Sequence, residues 1–174
     1  VLREGNIVSV DVGVHFDGLH ADSATTIGVG EISPDTQRLL DVTQASLAAG
    51  IAAARVGNHV GDIGHAVQTV AEGAGFGVVR ELVGHGIGAR FHEEPQVPNY
   101  GVPKRGPRLL EGMTIAIEPM ITMGDPATRT LPDKWTVVTA DGSLSAHFEH
   151  TVAVTKGGPR ILTAGQGGSG AVGR

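Results

Sequence analysis

Residues suited to metal chemistry concentrate in one stretch of the chain. Gly84 to Pro95, GHGIGARFHEEP, carries two histidines, three glycines and two glutamates in a dozen residues. Glycine lets backbone and ligand approach closely, which sets His85 and His92 apart, whereas isolated histidines are usually structural. The histidines given no role on that ground are His15, His20, His59 and His65.

Four acids flank this turn, two before it and two after it: Asp11, Asp22, Glu118 and Glu149. A carboxylate on a buried apolar strand is costly unless it is paired, hydrogen-bonded or bound to a cation. With His85, the four acids would balance two divalent ions and supply bridging oxygens. Two such ions, about 3.5 to 4 Å apart, can share a water, lower its pKa and polarise a carbonyl oxygen for attack. The residues therefore predict a metal site.

Single members of this set could instead have structural roles. Asp22 lies near a turn and could cap a strand end. Glu149 stands beside His150 and could form a surface pair on an edge strand. Asp11 and Glu118 each interrupt an apolar run, so burial without a cation explains them less well.

The composition narrows the class of protein. The chain has 174 residues and a net charge near −5, and the basic residues are scattered, so neither nucleic acid nor an anionic membrane is expected as the main partner. There is no cysteine, so nitrogen and oxygen must hold any transition metal, and cytosolic location is compatible. No apolar run approaches a membrane span and no secretory signal is evident. The first residue is Val1, so we expect that an upstream segment has been removed.

The acids fall on predicted strands, and two predicted helices should cover one face of the sheet. Asn6–Val14 is predicted to be a buried strand that turns at Asp17-Gly18 into a second strand. Ser33-Pro34 marks a helix start, and the Gly73 to Gly77 cluster should end the second helix. The remaining predicted elements are a strand over Leu19–Val29, helices over Thr36–Val56 and Gly61–Ala74, strands over Phe76–Val83 and Met113–Met123, a loop over Glu94–Pro107, and an antiparallel pair of Trp135–Thr139 with His147–Thr155.

An internal similarity suggests a duplicated unit. ADSATTIGVGE around Asp22 and HFEHTVAVTKG around Glu149 share the order carboxylate, threonine, β-branched run and turn. If each unit is two helices followed by strands with two acids, the first unit lacks its helices. We therefore expect them to lie before Val1.

Several separated motifs resemble those of type I methionine aminopeptidase. They are SVDVG, HADSATT, GHGIGARFHEEPQVPNY, GMTIAIEPMIT, WTVV and SAHFEHTVAVT, and they span nearly the whole of residues 7–162. The resemblance implies an α+β pita-bread (creatinase/aminopeptidase-like) fold with a pseudo-twofold antiparallel sheet and helices on its outer face. It assigns 1–164 to an N-terminally truncated catalytic domain, with 165–174 as a flexible glycine-rich tail.

By resemblance, the five metal ligands are Asp11, Asp22, His85, Glu118 and Glu149. The implied cofactors are two divalent ions, Co, Mn, Fe or Zn, and a monovalent cation near Ser145. His92 matches a substrate contact near the scissile amide, and Phe91 and Trp135 match the lining of a pocket for the methionine side chain. Glu118 also matches a proton shuttle from the bridging water to the leaving amine.

The implied function is metal-dependent removal of the initiator methionine from nascent polypeptides through a metal-bridging water or hydroxide. The expected setting is the cytoplasm, near the ribosome, as a monomer with neither nucleic acid nor membrane as partner. One alternative is an Xaa-Pro aminopeptidase or dipeptidase of the same fold, which would use the same five ligands. Another alternative is a non-catalytic binding module. The motifs found in this sequence do not include the family's N-terminal segment, which bears a further histidine of the substrate site.

Overall fold

A computed structural model describes residues 1–165, so the predicted tail, 165–174, lies outside this range except for its first residue. The described chain is α+β, with two helices and twelve strands. The helices are α1 (Pro34–Ala53) and α2 (Val60–Gly73). The strands are β1 (Ile7–Phe16), β2 (Leu19–Gly28), β3 (Gly77–Val78), β4 (Gly84–Gly86), β5 (Glu93–Val97), β6 (Thr114–Ile117), β7 (Met120–Thr122), β8 (Thr128–Thr130), β9 (Val137–Thr139), β10 (Ser145–His147), β11 (His150–Thr155) and β12 (Gly158–Ile161).

Both predicted helices are confirmed, and local capping explains where they begin. Ser33 Oγ accepts a hydrogen bond from the Thr36 main-chain N–H at 3.1 Å, and Pro34 occupies the first helical position. At the second helix, the Asp62 carboxylate accepts from the His59 N–H at 2.7 Å. An unpaired N–H at each helix start is thereby satisfied.

The strands form four antiparallel sheets. The largest has the order β12-β11-β6-β4-β5, a three-stranded sheet has the order β10-β7-β3, and β1-β2 and β8-β9 are separate pairs. The helices pack against each other and against strands of the two larger sheets. Buried aliphatic side chains from both layers form the core, including Leu39, Ile51, Ile63, Ile117 and Val152.

The hairpin is confirmed, but the prediction that its first strand is buried is wrong. Val10, Val12 and Val14 are 44%, 51% and 50% exposed. Within the described residues β1 pairs with β2 alone, so no other strand covers its free edge. Alternation of β-branched residues identified the strand correctly, but it cannot show whether a second layer covers either face.

Three further sequence predictions need correction. The predicted strand Met113–Met123 divides at Glu118-Pro119 into β6 and β7, which join different sheets, because proline cannot donate to a ladder. The predicted loop Glu94–Pro107 contains most of β5. Residues 135–139 do not pair with 147–155, because β9 pairs with β8 and β11 pairs with β6 and β12.

Candidate metal centre

His85 lies on β4, an inner strand of the largest sheet, where close backbone contact fixes its position. It is opposite Gln96 on β5 and Ala116 on β6 and is 8% exposed. A Cβ atom on either flanking residue, Gly84 or Gly86, would collide with a carbonyl oxygen of a neighbouring strand. The glycines of GHG therefore let three strands approach around one imidazole.

The His85 ring presents one nitrogen to the acids. Its Nδ1 lies 2.8 Å from the Gly86 carbonyl oxygen, and because a carbonyl can only accept, Nδ1 carries the proton. Nε2 then faces Glu118 Oε1 at 3.6 Å and Asp22 Oδ2 at 4.0 Å. Burial lowers the pKa of His85 below its usual 6.5, which favours the neutral ring that metals bind.

The two glutamates occupy the points where the chain changes sheets. Glu118 follows β6 of the five-stranded sheet and precedes β7 of the three-stranded sheet. Glu149 follows β10 of the three-stranded sheet and precedes β11 of the five-stranded sheet. The two crossings are adjacent, since the Phe148 N–H donates to the Pro119 carbonyl at 3.4 Å. Both carboxyls are thus brought to one junction between sheets.

Burial, and after it mutual repulsion, raises the pKa values of three of the carboxyl groups. Burial first, and the Asp11 charge second, raise the pKa of Asp22 to about 6. Burial, then Asp22 and Asp11, raise the pKa of Glu118 to about 8. Burial, followed by the other three acids, raises the pKa of Glu149 to about 9. Such a cluster favours retained protons or bound cations over bare negative charge.

Ligand atoms of Asp22, His85 and Glu149 lie within 4.8 Å of one another. Glu149 is 1% exposed, and its Oε1 has no hydrogen-bond partner. A buried carboxyl group that has an unsatisfied oxygen and lies close to other ligand atoms is the arrangement that a cation resolves. The donor set of carboxylates and one imidazole therefore fits a divalent metal ion.

Asp11 approaches this group from the exposed hairpin. It lies on β1 opposite Ala24 and lines the cleft that also contains His85 and Glu118. The structure thus brings all five predicted ligand residues to one region. Four of them lie on β2, on β4 or at the junction between the larger sheets, and Asp11 lies on the exposed strand β1.

Hydroxyl groups that the sequence did not single out hold β2 against the junction. Thr151 Oγ1 accepts from the Asp22 N–H and donates to the Asp22 carbonyl, both at 2.8 Å. Ser23 Oγ donates to the Glu149 carbonyl at 3.1 Å. Strand alternation places Thr151 on the same face of its strand as Glu149, but no sequence pattern indicates that Thr151 contacts Asp22.

Two other buried side chains adjoin Glu118 and were also missed. Asn99, 1% exposed, donates from Nδ2 to the Glu118 carbonyl at 3.0 Å. His147 Nε2 lies 3.6 Å from Glu118 Oε2 and has no hydrogen-bond partner. The position of His147 two residues before Glu149 was the available signal, because alternate strand residues share a face.

An open cleft of about 750 Å³ leads to the acidic cluster and is lined by residues that include Asp11, His85, His92, Glu118, Met120 and His147. The ring centroid of His92 is 4.3 Å from that of His85 and 4.8 Å from that of Phe91. Trp135 instead lies between β8 and β9 and is 88% exposed. Ser145 lines a neighbouring cavity.

Comparison with known proteins agrees with this geometry. The model of metallopeptidase family M24 matches residues 1–156. The methionine aminopeptidase of Clostridium perfringens is 53% identical over 162 residues, which are 93% of this chain and 65% of that protein. The crystal structure of methionine aminopeptidase from Thermotoga maritima superposes with a TM-score of 0.93 at 47% identity, over 95% of this chain and 66% of that one.

A more distant solved structure resembles this chain in fold. The prolidase of Pyrococcus furiosus gives a TM-score of 0.75 at 24% identity, covering 94% of this chain and 43% of that chain. That likeness concerns the fold alone, which is the α+β pita-bread fold expected from the motifs. The chain spans about 65% of the length of the curated relatives it matches. It belongs to metallopeptidase family M24.

Proposed function

We propose that the protein is a metallo-aminopeptidase that hydrolyses the N-terminal methionine from polypeptides. The observation that carries this proposal is the group of buried carboxyls and one imidazole at the floor of an open cleft. Relatives near 50% identity bear the name methionine aminopeptidase, whereas the prolidase likeness stays at 24%. Identity thus favours the methionine enzymes over the proline-specific alternative.

Asp11, Asp22, His85, Glu118 and Glu149 would hold two divalent ions, and the site chemistry accepts Co, Mn, Fe or Zn. When bound, such ions lower the pKa of water and polarise a carbonyl oxygen. The proposal is supported by the unpartnered Glu149 Oε1 and by the Nε2 lone pair that the Gly86 hydrogen bond leaves on His85. Ser145 is the proposed neighbour of a monovalent cation.

The chain's own residues would bind the peptide and move a proton. We assign His92 to a contact with the scissile amide, because its ring lies against His85 and lines the cleft. Glu118 is assigned the proton transfer to the leaving amine, because its carboxyl lines the cleft and lies 3.6 Å from His85 Nε2. Phe91 and Trp135 are the proposed lining of the methionine pocket.

The biological setting is part of the same proposal. Nascent polypeptide N-termini near the ribosome are the proposed substrates, with the protein acting as a cytoplasmic monomer in protein maturation. Neither helix among residues 1–165 combines the length and hydropathy needed to cross a bilayer.

A peptide assay tests this function. The full-length protein, loaded with Co²⁺ or Mn²⁺, should release methionine from Met-Ala-Ser and leave an Xaa-Pro peptide intact. His92→Ala should lower kcat/KM by about 10²-fold or more, the range for a general acid–base or substrate-polarising group, while His65→Gln on exposed helix surface should not change it. Faster cleavage of the proline peptide would support the prolidase alternative. Metal binding with no cleavage of either peptide would refute both enzyme functions.

A further inference from the structure

The tip of the β1–β2 hairpin places two histidines face to face. Its turn residues, Asp17 and Gly18, have φ angles of 49° and 78°, and positive φ at both positions is the type I′ geometry that suits twisted antiparallel strands. This turn sets the register in which His15 is directly opposite His20. Opposed residues project from one face with Cβ atoms about 4.5 to 5.5 Å apart. Local sequence therefore creates the pair.

The orientation of the His20 ring is that of a metal ligand. Its Nδ1 lies 3.2 Å from the Gly88 carbonyl oxygen, and a carbonyl can only accept, so Nδ1 carries the proton and Nε2 keeps its lone pair. Metal-binding histidines usually donate their second ring N–H to a carbonyl or carboxylate. The His20 main-chain N–H donates to the same carbonyl at 2.8 Å, which fixes the residue at both ends.

His15 supplies the adjustable partner. The two imidazole rings stack with centroids 4.4 Å apart and planes inclined by 25°, and His15 is exposed. Rotation of the His15 side chain would bring its ring nitrogen to an ion bound at His20 Nε2, at the usual metal–nitrogen distance of about 2.0 to 2.1 Å. One fixed and one free imidazole thus form a chelating pair.

We propose that His15 and His20 bind a divalent transition-metal ion at an accessory site outside the acidic cluster. Imidazole suits Cu²⁺, Ni²⁺ and Zn²⁺, whereas Mg²⁺ and Ca²⁺ prefer oxygen. Solvent would complete the coordination shell, because the hairpin tip is open to water. Affinity should follow the order Co²⁺ below Ni²⁺ below Cu²⁺.

This site borders the main centre without sharing a ligand with it. The Phe91 ring lies between them, with its centroid 5.9 Å from that of His20 and 5.9 Å from that of His85. The accessory site does not depend on the proposed peptidase function, so metal binding at the hairpin and peptide cleavage can each succeed or fail alone.

Nickel titration of the metal-free, full-length protein tests the site. Calorimetry should detect one more bound Ni²⁺ in the wild type than in His15→Gln, or a nickel dissociation constant that is at least about tenfold higher in the variant. A tenfold change is the low end of the effect seen when a metal site loses even a residue that only supports a ligand. The matched control is His65→Gln, an exposed histidine on α2, which should bind like the wild type. Equal nickel stoichiometry and affinity in all three proteins would overturn the proposal.

Two further measurements keep the result interpretable. In the wild type with its acidic cluster already saturated by Zn²⁺, further Zn²⁺ should shift the ring resonances of His15 and His20; unchanged resonances of both would refute the accessory site even if His15→Gln misfolds. The molecular mass in solution should stay constant on adding Ni²⁺. A nickel-induced dimer would assign these histidines to a bridge between molecules and overturn the chelate.

Discussion

Replacing Glu149 by glutamine should stabilise the metal-free protein at neutral pH and weaken its stabilisation by metal. The substitution keeps the shape of a side chain that is 1% exposed and removes its charge. Burial, then the neighbouring Glu118, Asp22 and Asp11 charges, raise the pKa of Glu149 from 4.5 to about 9 in the folded protein. In the unfolded chain these causes disappear.

The pH dependence follows from this difference. Below pH 4.5 the carboxyl is protonated in both states and carries no cost. Between pH 4.5 and 9 the unfolded chain releases a proton that the folded protein keeps, so the free energy of unfolding falls as pH rises. Each pH unit costs about 1.4 kcal/mol, which gives on the order of 4 kcal/mol at pH 7.5. For a chain of this size that is roughly 10 °C in Tm.

Thermal unfolding in chelator, from pH 4.5 to 8, measures this cost directly. Glu149→Gln should unfold above the wild type at pH 7.5 and together with it at pH 4.5. The control is Glu111→Gln, which removes a half-exposed carboxylate whose ion pair with Lys156 spans 3.2 Å. Exposed pairs contribute about 0 to 1 kcal/mol, so the control should follow the wild type at every pH.

Adding divalent metal should reverse the order of stability. At a hundred times its dissociation constant, each bound ion stabilises the wild type by about 2.7 kcal/mol, so two ions together exceed the cost of about 4 kcal/mol, and the variant, which lacks a ligand, should gain much less. The reasoning would be refuted by a variant that is less stable than the wild type in chelator at pH 7.5. A gain that persists at pH 4.5 would refute the titration of Glu149 as its cause.

Two further predictions concern the scaffold. Gly64→Val should destabilise the protein by several kcal/mol, because even a Cβ atom there collides with the Tyr100 carbonyl oxygen. Gly73 has open space around it, so Gly73→Ala should stabilise the protein by about 0.5 to 1 kcal/mol. Urea unfolding of both variants measures the two effects. Thr151→Val keeps the side-chain shape but breaks both hydrogen bonds to Asp22. It should lower the free energy of unfolding by about 1 to 3 kcal/mol and weaken metal affinity. Unchanged metal affinity would show that Thr151 does not position Asp22.

Local sequence signals identified most of the secondary structure and the character of the site. Ser33-Pro34 located a helix start because capping is a property of adjacent residues. The interruption of apolar runs by Asp11 and Glu118 predicts metal binding; its premise of burial holds for Glu118, whose side chain is 13% exposed, but not for Asp11, which is exposed. Side-chain alternation, however, has no information on which strand lies alongside, so the pairing of residues 135–139 with 147–155 was wrong.

Contacts across the chain explain what the sequence could not provide. Asp22 and Thr151 are joined by two hydrogen bonds across 129 positions, and no local pattern specifies such a pair. The burial of β1 was mispredicted for a related reason, because exposure depends on whatever packs against a strand. Positions within an element follow from periodicity, whereas distances between elements follow from packing.

The acidic cluster lies where separate parts of the fold meet, and this location links metal binding to stability. Asp11 and Asp22 belong to the hairpin, His85 to β4, and the two glutamates to crossings between the larger sheets. Without a cation, the raised pKa values of Glu118 and Glu149 show that these parts meet at an electrostatic cost. Bound divalent ions would offset both the burial of these charges and their repulsion, so metal should stabilise the junction between sheets more than the helical layer. Hydrogen exchange should accordingly slow most at β4, β6 and β11 when metal is added.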